Sequence, residues 1–266
     1  MGKRLLTSFI GIAVFFAVVL APYVYVLYSA VALLVLVMLY EMYKVIGAGK
    51  FLCATGYVAA LLVLAGFVFN KPVVAIFAAI TMFMIAMVFT HGKATSENIL
   101  SVGFITIAIS ALMSMLIFTR RFCDKYTVML PFVCAWLTDT GAFTIGNLCG
   151  KHKLAEKISP KKTVEGAVGG LIFSTIGAAA YICVMTYIFA DGRMPNIKYI
   201  GVFALLGFLA SIVAQLGDLA ASCIKRDFQK KDYGSILPGH GGLLDRFDSV
   251  LLVIPFIYYA MRHFIM

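Results

Sequence analysis

Nine long apolar runs limit what this chain can fold into more than any other feature. They cover about residues 4–21, 23–43, 51–69, 72–90, 97–118, 127–146, 166–190, 198–222 and 247–265. Roughly 20 helical residues cross the hydrocarbon core of a bilayer, so each run reads as a membrane-spanning helix. With 62% hydrophobic and 13% charged residues, the chain has too little polar surface for a water-soluble fold, where about 25% of residues are charged. The expectation is an all-α integral membrane protein, a polytopic bundle of about nine transmembrane helices. Only Ala21 and Pro22 separate the first two runs, which form either a tight hairpin or one broken segment. The basic, then apolar start "MGKRLLTSFIGIAVFFAVVLAPY" is built like a secretion signal, but the stretch lacks a clear A-x-A cleavage site. It reads as an uncleaved first helix.

The net charge of +10 is placed where a membrane protein needs it. Basic loops stay on the cytoplasmic side and meet anionic lipid headgroups. No basic helix or aromatic pattern of a nucleic-acid binder accompanies the charge, so nucleic acid is not an expected partner. Two loops are strongly basic. "NLCGKHKLAEKISPKKT", Asn147 to Thr163, holds five lysines and one glutamate, and the other loop runs from Cys223 to Arg246. Nine spans put both in the cytoplasm together with Lys3 and Arg4. In a bacterial-type cell the membrane is then the inner (cytoplasmic) one. The short loop "TRRFCDKY", residues 119–126, falls outside and is basic, a mild violation of the rule. Residues 1–120 read as N-terminal transmembrane helices and 121–266 as a C-terminal region that holds both strongly basic loops.

The six cysteines form no CxxC pair and lie mostly in or beside apolar runs, so structural thiols are expected rather than a disulfide framework. No internal repeat is visible, which weakens a secondary-transporter reading.

Ionisable residues inside a membrane are costly and point to function. In the span 198–222, Ser211, Gln215, Asp218 and Ser222 step by four, three and four, and Lys225 and Arg226 continue the series. That spacing puts them on one helical face, which should line a cytoplasm-facing polar cavity rather than touch lipid. Ser211, Gln215 and Ser222 suit interhelical packing; Asp218 is too expensive for packing alone. Upstream, "YIGVFALLGFLA" is apolar, so the polar face does not cross the membrane as a transport pathway would. Asp139 in "WLTDTGAF" is a second intramembrane carboxylate. "GAFTIGNL" matches a phosphate loop only at its glycines, because Asn147 and Leu148 replace the Lys and Ser/Thr that a Walker-type site needs.

Asp245 and Asp248 stand three apart at the start of the last span, on one face of its first turn. Carboxylates there also suit the helix dipole. Oxygen-only carboxylates beside Lys and Arg suit magnesium with phosphate, since magnesium takes one or two carboxylates and completes its shell with water and phosphate oxygens. Zinc is disfavoured, because His240 and Cys223 lack ligand partners at a zinc spacing. His240 can serve as a general base or as a phosphate hydrogen-bond donor. Glycines 239, 241 and 242 let the backbone approach a ligand. Glu41, His91 and His263 stand at span ends, where interfacial placement is expected.

The run Ser222-Cys-Ile-Lys225-Arg226, four residues, Lys231-Asp232-Tyr-Gly234, two residues, Leu237-Pro238-Gly-His240-Gly241-Gly242-Leu-Leu-Asp245-Arg246-Phe-Asp248 resembles the signature of phosphatidate cytidylyltransferases, the CDP-diacylglycerol synthases. "DTGAFTIGNLCGKHKLAEKISPKKTVEG", residues 139–166, is similar to two further segments of that family. Asn147, Val164 and Ala221 depart from its usual residues. The resemblance covers roughly the C-terminal half.

The resemblance implies transfer of CMP from CTP to phosphatidic acid, giving CDP-diacylglycerol and pyrophosphate for phospholipid biosynthesis. It implies magnesium and a monovalent cation such as K+ as cofactors, membrane lipids as surroundings, and a homodimer. On this reading Asp218 and Asp245 hold Mg2+, with Asp248 or Asp139 nearby. Lys225, Arg226, Lys231 and Arg246 hold the triphosphate and the lipid phosphate, and Asp232 orients a cation or binds metal. Ser159, Lys161, Lys162 and Thr163 close over the nucleotide or lipid head, and Ser222, Gly241 and Gly242 border the substrate. The rivals are a CTP-dependent polyprenol or phytol kinase, which would release CDP, and a membrane transporter. The D-G-x-x-A-R block of a CDP-alcohol phosphotransferase is missing.

Overall fold

A computed structural model of the chain describes residues 2–91, 93–189, 193–236 and 241–265, with the side chains of 2–10, 264 and 265 outside the description. Leu237, Pro238, Gly239 and His240, all parts of the signature, lie outside the described residues.

Nine α-helices occur among the described residues, as the apolar runs predict: α1 Gly2–Leu20, α2 Val24–Ile46, α3 Lys50–Val68, α4 Pro72–Phe89, α5 Ser96–Phe122, α6 Leu130–Cys149, α7 Val164–Phe189, α8 Ile197–Asp227 and α9 Leu244–Ala260. Seven of them, α2 to α8, are long and apolar enough to cross a membrane. The chain is an integral membrane protein built almost wholly of helices. A two-stranded antiparallel hairpin, β1 Lys153–Ala155 with β2 Ser159–Thr163, is the exception and was not expected from its lysine-rich sequence.

The chain divides into two units. The first comprises residues 1–125 and 228–247, the second 126–227 and 248–266.

In the first unit α2, α3, α4 and α5 pack together. Buried Tyr43 of α2 and Thr106 of α5 meet through their hydroxyls at 2.6 Å. Thr106 already donates to Val102 O, so Tyr43 is the donor. Much of α4 is exposed and apolar (Val73, Phe77, Met84, Val88), as a helix facing lipid should be. Arg120 and Arg121, the basic pair on the side expected to lack them, have local tasks. Arg120 donates to Ala21 O at 3.3 Å and Arg121 to Val68 O at 3.0 Å. They satisfy carbonyls at the α1–α2 break and at the end of α3, where no intrahelical donor remains.

In the second unit α7 packs against both α6 and α8. Small residues bring these helices close: a Cβ on Gly141 would stand 2.6 Å from Gly169 O. Ser174 of α7 is buried and donates to Gly207 O of α8 at 2.8 Å. α8 continues past the expected end at residue 222 to Asp227, with Lys225 and Arg226 in its last turn, where cations complement the helix dipole.

The hairpin joins α6 to α7. Val164 N donates to His152 O at 2.9 Å and closes it. Glu165 accepts from the backbone N–H groups of Lys151 and His152 and from His152 Nδ1 at 2.6 Å. Thr163 Oγ1 accepts Gly166 N at 3.1 Å, in the manner of a helix cap for α7. No disulfide links the six cysteines, as expected; Cys134 is buried and Cys149 exposed.

Candidate active site

The polar face of α8 is the spine of the second unit's charged cluster. At its apolar end Ser211 is fully buried, and Gln215 Nε2 donates to Ala167 O at 3.2 Å and to Ser211 Oγ at 3.3 Å. This is the expected packing contact between α7 and α8. One turn further, Asp218 Oδ2 pairs with Lys162 Nζ at 2.5 Å, which brings β2 of the lysine loop onto α8. Ser222 Oγ donates to Asp218 Oδ1 at 3.5 Å. Next on the same face, Lys225 Nζ stands 3.4 Å from Asp248 Oδ2 of α9. Both side chains are about nine-tenths buried (11% and 10% exposed).

α9 contributes a second polar residue that the sequence did not single out. Ser249 N donates to Asp248 Oδ1 at 2.9 Å, and Ser249 Oγ donates to Asp139 Oδ2 of α6 at 2.9 Å. The pattern that could have revealed Ser249 is a hydroxyl beside a carboxylate at the head of an apolar helix. Three carboxylates, from α6, α8 and α9, and two ammonium groups, from β2 and α8, are thus linked pairwise. Of these carboxylates Asp248 is buried, Asp218 half-buried and Asp139 exposed; a buried ion is stable only with partners and hydrogen bonds, and Asp248 has both in Lys225 and Ser249 N.

The other residues of the lysine loop have mixed surroundings. Arg226 Nε donates to Ile158 O at 3.1 Å, so the guanidinium expected at phosphate also anchors the hairpin turn. Lys161 is exposed and Ser159 half-buried. Thr163, expected at the substrate, is 8% exposed with its hydroxyl at the start of α7.

The first unit holds the described parts of the glycine loop. Asp245 Oδ2 accepts from Tyr233 N at 2.9 Å and Gly242 N at 3.0 Å. Gly241 has φ +82°, a left-handed conformation that glycine adopts without steric cost. The position of a Cβ there lies 3.5 Å from Asp245 Oδ2 and 3.8 Å from Asp232 Oδ1, so both carboxylates flank this glycine. Lys231, Asp232 and Arg246 are exposed. His240, expected to act on phosphate or a proton, is outside the described residues.

Glu41 departs from its expected interfacial place, whereas His91 and His263 are exposed. Glu41 is 1% exposed, and it accepts Leu243 N at Oε1 (2.9 Å) and Leu244 N at Oε2 (2.8 Å). Its partners lie some 200 residues away in sequence, beyond the reach of local pattern reading.

Among the described residues, no three His, Cys, Asp or Glu side chains stand together as a metal cluster. The donor set still fits magnesium. Asp218 and Asp248 offer only oxygen, Ser222 and Ser249 add hydroxyls, and magnesium needs only one or two carboxylates when phosphates complete its shell.

Helices long and apolar enough to cross a membrane, with carboxylates and lysines paired near one end of α8, define an integral membrane protein with a charged cluster on one helix face. The profile of the cytidylyltransferase family matches residues 2–264, and the chain belongs to that family. The chain is 43% identical over 169 residues to a phosphatidate cytidylyltransferase of Bacillus subtilis (strain 168), covering 61% of this chain and 59% of that protein. It is 46% identical over 143 residues to one of Staphylococcus aureus (strain COL) and 44% over 143 residues to one of Staphylococcus haemolyticus (strain JCSC1435); each match covers 54% of this chain and 52% of the relative. The chain thus spans little more than half the length of these curated relatives.

Proposed function

We propose that the protein transfers CMP from CTP to phosphatidic acid, giving CDP-diacylglycerol and pyrophosphate. The observation that carries this reading is the pairing of Lys162 with Asp218 and of Lys225 with Asp248. It brings lysines from two basic segments onto carboxylates at one end of a polar helix face. The names of the relatives point to the same reaction.

The chemistry asks little of a general base. A phosphate oxygen of phosphatidate attacks the α-phosphorus of CTP, the bond to the β-phosphate oxygen breaks, and pyrophosphate leaves with that electron pair. The protein must bring two anions together and stabilise charge on the leaving group, which fixed cations do in a site shielded from water. Lys162 and Lys225 are assigned to phosphate oxygens, with Arg226, Lys231 and Arg246 as further cations. Asp218 and Asp248 are assigned to magnesium, with Asp245 one helical turn before Asp248. A magnesium ion bound by these carboxylates would supply positive charge against the phosphates. Asp139, through Ser249, holds α9 next to Asp248. K+ as a second cation, a homodimer, an inner-membrane location and a cytoplasmic approach for CTP belong to the same proposal.

The test is to purify the protein in detergent and supply CTP labelled at the α-phosphate, phosphatidate and magnesium. Label in the lipid with equimolar pyrophosphate is the expected result. Label recovered as CDP would replace this reading with a lipid kinase, and intact CTP would overturn both.

A further inference from the structure

Glu41 is a buried carboxylate whose surroundings the reaction above does not explain. It sits on α2 and is buried to 1% exposure. A buried carboxylate is strongly destabilising unless its oxygens are satisfied. Here each oxygen accepts one of two successive backbone N–H groups at the start of α9, Leu243 and Leu244, at 2.9 and 2.8 Å. Those N–H groups have no intrahelical acceptor and carry the positive end of the helix dipole, so an anion is the matching partner.

The glycines of the loop fit the same carboxylate. A Cβ on Gly242 would stand 2.7 Å from Glu41 Oε2 and 2.8 Å from Oε1, and one on Gly234 would collide with Oε1. Neither glycine has a positive φ, so close approach excludes a side chain there: approach to Glu41 at both, and at Gly242 also to Gly234 N, 2.8 Å from a Cβ. The segment is therefore held at two points: Glu41 takes the amides of 243 and 244, and Asp245 takes those of 233 and 242.

We propose that Glu41 is a positioning residue: it clamps the glycine loop onto the head of α9 and so fixes where Asp245 and its neighbours stand. This rests on the cytidylyltransferase reading only in what the loop is held for. A glycine-rich segment loses much conformational entropy when ordered, and a site left to order itself on each turnover is slow. Gln cannot replace Glu41, because its amide nitrogen would face one of two N–H donors. Asp keeps both acceptors but is one methylene shorter.

The experiment compares wild type with Glu41→Gln and Glu41→Asp in detergent. Hydrogen exchange at the amides of 243 and 244 is expected to rise in Glu41→Gln while the α3 and α5 amides keep wild-type protection. Turnover of CTP with phosphatidate should fall about 10–100-fold, the usual cost of losing a supporting contact around a site. The loss should lie in kcat more than in the KM for phosphatidate, with Glu41→Asp intermediate. Wild-type exchange at 243 and 244 in Glu41→Gln, or full turnover with exchange raised, would overturn the proposal. A second pair covers a variant that folds poorly. Gly234→Ala should lower the melting temperature more in wild type than in Glu41→Ala, where the side chain it meets is gone; equal losses would count against the clamp. Exchange reads the clamp without substrate, so an inactive wild type would reject the reaction and leave the clamp to be decided separately.

Discussion

Lys162 of strand β2 places its Nζ 2.5 Å from Asp218 Oδ2 of α8. The contact brings the lysine loop to the polar helix face, two segments more than fifty residues apart in sequence. Both side chains remain about a quarter exposed (26% each), so the pair adds little to stability, about 0–1 kcal/mol by the usual measure of exposed pairs. On the proposed reaction its value lies in activity. Lys162→Met should leave the melting temperature within a few degrees of wild type and lower kcat about 10²–10³-fold, the scale for losing a fixed charge that faces a developing anion. Normal turnover in this variant would remove Lys162 from the site.

The buried pair Lys225–Asp248 should behave in the opposite way. Lys225→Met leaves a carboxylate buried without its cation, at a cost of roughly 3–5 kcal/mol. Adding Asp248→Asn should recover much of that stability and none of the activity. Thermal unfolding in detergent and CTP turnover, measured on the two single variants and the double, check both halves. A double variant as unstable as Lys225→Met would show that the ion pair is not what the charge is buried for.

Asp139 and Ser249 give a graded case. Ser249→Ala removes the donor at 2.9 Å from Asp139 Oδ2, and turnover should fall about 10-fold as α9 loses one support. Asp139→Asn keeps a carbonyl oxygen to accept from Ser249, so Asp139→Ala should be the more damaging of the two. Equal kcat for Asn and Ala would mean that the Asp139 charge, not its hydrogen bond, matters.

Why some of this was legible in sequence and some was not follows from the range of the forces involved. The nine helices follow from apolar length alone, because a bilayer demands about 20 residues of each span. The α8 face was legible because its residues obey helical spacing within one element. The hairpin was not. Its lysines and Pro160 disfavour strand pairing, and it is held by Glu165 on α7 and Arg226 on α8, which become neighbours only after folding. Glu41 was hidden for the same reason. A carboxylate near a span end reads as interfacial until its partners are known, and those stand at positions 243 and 244.

The hairpin anchors lead to the last expectation. Glu165 gathers the N–H groups of Lys151 and His152, and the imidazole of His152. Arg226 holds Ile158 O in the turn. If these contacts present Lys162 to Asp218, loosening them should mimic losing Lys162 without touching it. Glu165→Ala should expose the 151–158 segment to trypsin, which cuts after its lysines, and should lower kcat about 10-fold. Arg226→Gln also frees the turn, but it removes a cation assigned to phosphate, so its loss should be larger and should include a raised KM for CTP. Unchanged proteolysis in Glu165→Ala would show that strand pairing alone holds the hairpin, and a drop in turnover without new cleavage would place Glu165 nearer the chemistry than its contacts suggest.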